Sequence, residues 1–174
     1  MYLLLPWQVN LAIILDGSDS VVPTEFAMEQ EFAKSTVAAF AARNLFENGG
    51  IASYVQYSDY LVSSATFTSA QDFIDFAAAD GKDGGGTTTS IGIIQGRYLL
   101  GNKPASASIM IVITGGRSDS ITATTAAADA ARAEGILVFA VGVGASAASN
   151  SHNIRRCIVC ADFIRCFCSK LAGG

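Results

Sequence analysis

The chain has 174 residues, of which 51% are hydrophobic and 15% charged, and a formal net charge of −4. That length fits one domain with a single sizeable core, and that composition excludes a disordered chain. The acidic balance, with no basic cluster beyond Arg155–Arg156, argues against a nucleic-acid backbone as partner. The apolar start Met1–Trp7 is short, lacks a basic lead and is broken by Pro6, so membrane insertion is not expected. All four cysteines (Cys157, Cys160, Cys166 and Cys168) sit at the C-terminal end, which leaves the body to hold together by packing alone.

In chain order, Val9–Leu15 is a continuous apolar run, the pattern of a central parallel strand buried on both faces. Apolar residues at helical spacing from Phe26 to Phe46 predict a helix, with Thr24 as its N-cap and Asn48-Gly49-Gly50 as its stop. Ile51–Ser58 and Tyr60–Phe67 alternate like strands with only Asp59 between them, which predicts an antiparallel hairpin. Ser69 caps a short helix over Gln71–Ala79. The Gly-rich loop Asp80–Gly86 leads into a helix that ends at Gly101. Ser108–Thr114 is the next buried strand, Thr122–Glu134 an Ala-rich helix, and Ile136–Gly144 a further strand. Beyond it come one helical turn near His152–Arg156, a short strand-like run Cys157–Ala161 and a final helix Asp162–Leu171. The order predicts a doubly wound α/β fold, with a mostly parallel sheet, one antiparallel strand and helices on both faces.

Open sheets of this kind bind ligands at the carboxyl ends of their strands. Asp16–Ser20, Gly84–Thr89 and Thr114–Ser118 therefore converge on one edge. Asp16, Ser18 and Ser20 alternate, so in an extended loop their side chains share one side. A carboxylate and two hydroxyls are hard oxygen donors suited to Mg²⁺ or Mn²⁺ with water completing the shell, and Thr87 brings a further hydroxyl. Taken alone, the same residue types are equally at home as turn and capping residues.

The segment AIILDGSDSV resembles the signature of von Willebrand factor A domains, whose metal-ion-dependent adhesion site opens Asp-x-Ser-x-Ser. YVQYSD resembles that family's second strand, GGGTTTSIG its threonine loop, VITGGRSDS its fourth-strand tip and GILVFAVGVG its fifth strand. These blocks run in order from about Val9 to Gly144, within one domain spanning residues 1–174 and ending in an atypical, shortened Cys-containing part, 145–174. The resemblance implies Asp16, Ser18, Ser20 and Thr87 as metal-site residues, with Asp19, Gly115, Arg117 and Asp119 lining the ligand-binding rim. It implies a non-enzymatic adhesion module that holds Mg²⁺ or Mn²⁺ and a protein ligand presenting an acidic side chain, or other matrix and adhesion proteins. An extracellular setting is expected on the same ground, with a cytosolic one left open.

The sequence departs from the family at one ligand position, where Gly115 stands in place of an acid. One charge about 5 Å from a divalent ion, at an effective dielectric of about 20, interacts by roughly 6–7 kcal/mol. Water in its place recovers much of that, leaving a net loss of about 1–3 kcal/mol, or roughly ten- to hundredfold in affinity. Asp19 and Asp119 are the nearby acids available to offset it. The missing charge also leaves a bound ion more electrophilic toward an acidic ligand. The rival reading is a metal-independent structural or matrix-assembly module with a decayed site.

Other signals are weaker. Val141–Ala147 fits the outline of a dinucleotide fingerprint but falls at the last full strand, too late to open a nucleotide domain. The cysteines, C-x₂-C-x₅-C-x-C, are cramped for zinc and read better as buried thiols or one local disulfide. His152, the one histidine, is far in sequence from Ser18 and Ser20, which leaves them without a plausible base and argues against hydrolysis.

Overall fold

The computed structural model describes residues 8–54, 61–82, 84–101, 107–115 and 117–143, together with the strands at 158–160 and 165–167. Strand β1 (Val9–Asp16) is buried along its whole length because it pairs in parallel on both sides, with β2 (Phe46–Tyr54) and with β4 (Ala107–Thr114). Its side chains alternate between two cores, as the twofold period of a strand requires. Leu11, Ile13 and Leu15 pack beneath α1 (Pro23–Ala41) and α2 (Ala70–Ala79), against Phe26, Val37 and Phe73. Ala12 and Ile14 pack on the other side beneath α3 (Thr89–Leu100) and α4 (Ile121–Ala133), against Ile93, Leu99 and Ala128.

The seven strands run in the order β3-β2-β1-β4-β5-β6-β7, where β3 is Leu61–Phe67, β5 Leu137–Gly142, β6 Ile158–Cys160 and β7 Arg165–Phe167. From β1 the chain first builds outward through β2, then returns to the other side of β1 to build β4 and β5. Right-handed crossovers in opposite directions put their helices on opposite faces, which is why α1 and α4 lie on different layers. The order reverses between β1 and β4. Open α/β sheets bind ligands at such a switch point, which here lies at the ends of these two strands.

The expected fold class and the antiparallel pairing of β2 with β3 are present; the expected tight turn between them lies outside the described residues. Four local expectations are corrected. The first helix starts two residues earlier, with Pro23 at its first turn and Val22, not Thr24, at the cap. Val22 has no side-chain acceptor, and Glu25 Oε2 instead takes the Val22 N–H at 3.2 Å. The helix also stops at Ala41, not Phe46: Asn44 turns the chain at φ 55°, and Leu45 N–H reaches back to the Phe40 carbonyl at 3.0 Å.

Asn48-Gly49-Gly50, read as the helix stop, lies inside β2. A Cβ on Gly50 would stand 2.8 Å from Leu99 Cβ, and one on Gly49 2.7 Å from the Phe46 ring. The glycines are there because α3 and the aromatic cluster press on the strand. At the C-terminal end, residues 165–167 form β7, antiparallel to β6, where a helix was expected. Cys160 and Cys166 fall on these strands, while Cys157, Cys168, His152 and the residues of the fingerprint outline after Val143 lie outside the described residues.

Candidate metal centre

At the ends of β1 and β4, backbone hydrogen bonds tie three loops together. Gly84 N–H donates to the Gly17 carbonyl at 2.9 Å, Asp19 N–H to the Gly85 carbonyl at 2.8 Å, and Asp119 N–H to the Thr87 carbonyl at 2.9 Å. Gly84 and Gly85 lie at φ 82° and 105°, a region that L side chains rarely adopt, so the loop can turn back onto β1 only with glycine there. In consequence, hydroxyls 67 and 69 residues apart in sequence meet.

Ser18 Oγ and Ser20 Oγ are 2.7 Å apart, Ser20 Oγ and Thr87 Oγ1 2.9 Å, and Thr87 Oγ1 donates to Ser18 Oγ at 2.9 Å. The three oxygens form a near-equilateral triangle. Octahedral Mg²⁺ holds oxygens at about 2.0–2.1 Å, so adjacent ligands in its shell are separated by about 2.9 Å. The triangle thus has the dimensions of one face of such an octahedron, and its donors are of the right hardness. Residues Ser18, Ser20 and Thr87 fit a small divalent cation without any need to spread apart.

Asp16 stands behind them, fully buried. Its Oδ1 accepts the Ser18 N–H at 3.1 Å and its Oδ2 accepts the Thr114 hydroxyl at 2.7 Å. The carboxylate therefore fixes the serine loop to the tip of β4. Among the described residues no three His, Cys, Asp or Glu side chains cluster as a metal site; the side chains that meet here are one carboxylate and neutral hydroxyls.

The expected rim residues are placed differently from one another. Asp19 is exposed and lies 3.9 Å from Lys82 Nζ, with its Oδ1 over Gly84. Asp119 is exposed and accepts from Thr88 Oγ1 at 3.3 Å, and Arg117 is exposed. Gly115, by contrast, is buried. A Cβ there would lie 2.8 Å from Val21 Cγ2 and 3.4 Å from the Val143 carbonyl oxygen. The space where an acid would begin is filled by Val21.

Two residues near this centre were not singled out in the sequence. Thr114 is one; Glu29 is the other. Glu29 is completely buried on α1, and its Oε2 accepts the Asp16 N–H at 2.8 Å. Burial, and next to it the Asp16 carboxylate, push its pKa well above the usual carboxyl value. A signal was present: Phe26, Ala33 and Val37 are the other buried apolar positions of the helix, and Glu29 shares their spacing.

An open, mostly parallel α/β sheet with this strand order and helices on both faces defines a fold of the Rossmann-like class. The von Willebrand factor type A domain pattern matches residues 10–162, and the chain belongs to this family. It is similar to the collagen alpha-4(VI) chain of Mus musculus, at 29% identity over 141 residues, which cover 78% of this chain and 6% of that one. Among solved structures it resembles proximal thread matrix protein 1 of the mussel byssus with a zinc-occupied metal-ion-dependent adhesion site. The TM-score is 0.72 at 20% identity, covering 89% of this chain and 44% of that one. Manganese-loaded TRAP protein of Plasmodium vivax gives a TM-score of 0.63 at 13% identity, covering 84% and 60%. These structural likenesses speak for the fold. The chain spans only a small part of the collagen relative and less than half of the byssus protein.

Proposed function

We propose that this domain is a non-enzymatic adhesion or matrix-assembly module that binds a protein ligand through a divalent cation, Mg²⁺ or Mn²⁺, at the ends of β1 and β4. Ser18, Ser20 and Thr87 would hold the ion, with Asp16 as the fixed charge that orients them. The hydroxyl triangle is the observation that carries this reading. When bound, the cation supplies an attachment point for an anionic group of the ligand. Neutral donors compensate little of its charge, and the absence of an acid at Gly115 leaves still more for the partner to neutralise. A carboxylate on the partner suits that need best. Asp19 and Asp119 at the rim, with Lys82 and Arg117, then set which acidic surfaces approach without repulsion. An extracellular setting follows the matrix proteins among the relatives.

The packing of Val21 against Gly115 favours a second reading, a metal-independent module that serves through its contacts with neighbouring domains. Calorimetric titration of Mn²⁺ and Mg²⁺ into the wild type and Ser18→Ala separates the two. Millimolar or tighter binding that Ser18→Ala abolishes supports the cation site. Absence of binding by the wild type overturns it in favour of the second reading.

A further inference from the structure

Helix α1 presents a face of Phe26, Ala33 and Val37 to the core, and Glu29 interrupts that face with a completely buried acid. One of its oxygens accepts the Asp16 N–H, while the other, Oε1, has no hydrogen-bond partner among the described residues. An orphaned buried oxygen is costly, and an apolar side chain at this position would complete the stripe without that cost. The position is therefore poor for stability. It is well placed for something else: among the described residues its hydrogen-bond partner is the residue whose carboxylate holds both the Ser18 N–H and the Thr114 hydroxyl.

We infer that Glu29 is a positioning residue of the cation site, which acts through Asp16 by fixing the last peptide of β1 from the α1 side. This rests on the cation reading proposed above. The physical chain is short. The Glu29 oxygen takes the Asp16 N–H and sets the orientation of that peptide; the peptide sets where the Asp16 carboxylate lies; and the carboxylate holds the serine loop against the β4 tip. Small shifts at its far end open the hydroxyl triangle beyond the edge length a small cation requires. Supporting contacts of this kind outside the ligand set typically alter metal affinity by ten- to hundredfold.

The test compares Glu29→Gln, which keeps an acceptor of the same shape, with Glu29→Met, which removes it and completes the apolar stripe. Mn²⁺ affinity is measured by titration calorimetry on each, and thermal stability is measured without metal. The expected result is that Glu29→Gln binds within about threefold of the wild type. Glu29→Met is expected to lose about tenfold or more in affinity while melting no lower than the wild type. A merely structural residue would lower the melting temperature and leave affinity alone. Unchanged Mn²⁺ affinity in Glu29→Met overturns the inference, and so does an equal loss in both variants. If the wild type binds and Ser18→Ala does not, such a result leaves the cation reading standing; if the wild type itself does not bind, both fall together.

Discussion

An acid at Gly115 would complete the proposed donor set, but the packing around that residue dictates that the change alone is costly. A Cβ at 2.8 Å from Val21 Cγ2 is closer by about 0.7–1.2 Å than an ordinary carbon contact. Val21 cannot swing aside, because a β-branched side chain is stiff at χ1 and this one is fully buried in the α1-side core. Overpacking of this kind costs about 1–3 kcal/mol, so Gly115→Asp is expected to lose that much or more. Val21→Ala alone deletes buried methyl groups, at about 1–2 kcal/mol. Together the two changes exchange volume across the same contact. The double variant is therefore expected to be more stable than the sum of the single losses by about 1–3 kcal/mol. Urea unfolding of the four proteins closes the cycle. In the relieved background, the added acid is expected to tighten Mn²⁺ by roughly ten- to hundredfold over Val21→Ala alone. Additivity within about 0.5 kcal/mol would refute the claim that Val21 occupies the slot.

Two further outcomes follow from the same geometry. Gly84→Ala forces an L residue to φ 82° and sets its Cβ 2.6 Å from Asp19 Oδ1. The backbone part costs about 1–2 kcal/mol and the contact is to a movable side-chain tip, so adding Asp19→Ala should restore little stability in urea unfolding. Full rescue would show that the contact, not the backbone, sets the cost. The raised pKa of Glu29 makes the metal-free fold less stable as pH rises. Above the ordinary value of 4.5 the unfolded chain releases this proton while the fold retains it, so stability declines from there up to the folded pKa and then levels off. Glu29→Gln is expected to remove that decline from the urea midpoint measured across pH. An identical profile in both proteins would refute it.

Much of this fold could be read in the residues because burial on both faces writes itself as an unbroken apolar run, as at Leu11–Leu15 and Ile109–Ile113. The three site loops could be placed because each follows such a run or opens a helix. What could not be read depends on partners distant in sequence. Gly49 and Gly50 look like a helix stop until Leu99 and Phe73 are known to press on them. Asn44, an undistinguished residue in the sequence, performs the turn instead. The resemblance predicts a missing acid at Gly115; that Val21 packs where a side chain there would begin was not legible. Glu29 was overlooked because an acid in an amphipathic helix is ordinarily taken to face water, and only the spacing of Phe26, Ala33 and Val37 argued otherwise.

The position of β1 bears on how the domain would carry load. The Asp16–Ser20 loop continues directly from this strand, which pairs in parallel from Val9 to Asp16 with β2 and from Val9 to Ile14 with β4. Tension applied at that loop would run along the strand, crosswise to the hydrogen bonds of both ladders. Those bonds would then have to shear together, where a strand pulled from an edge could unzip them in succession. A tether drawn from this tip is thus anchored in the middle of the sheet, and the attachment point is expected to give way before the fold does.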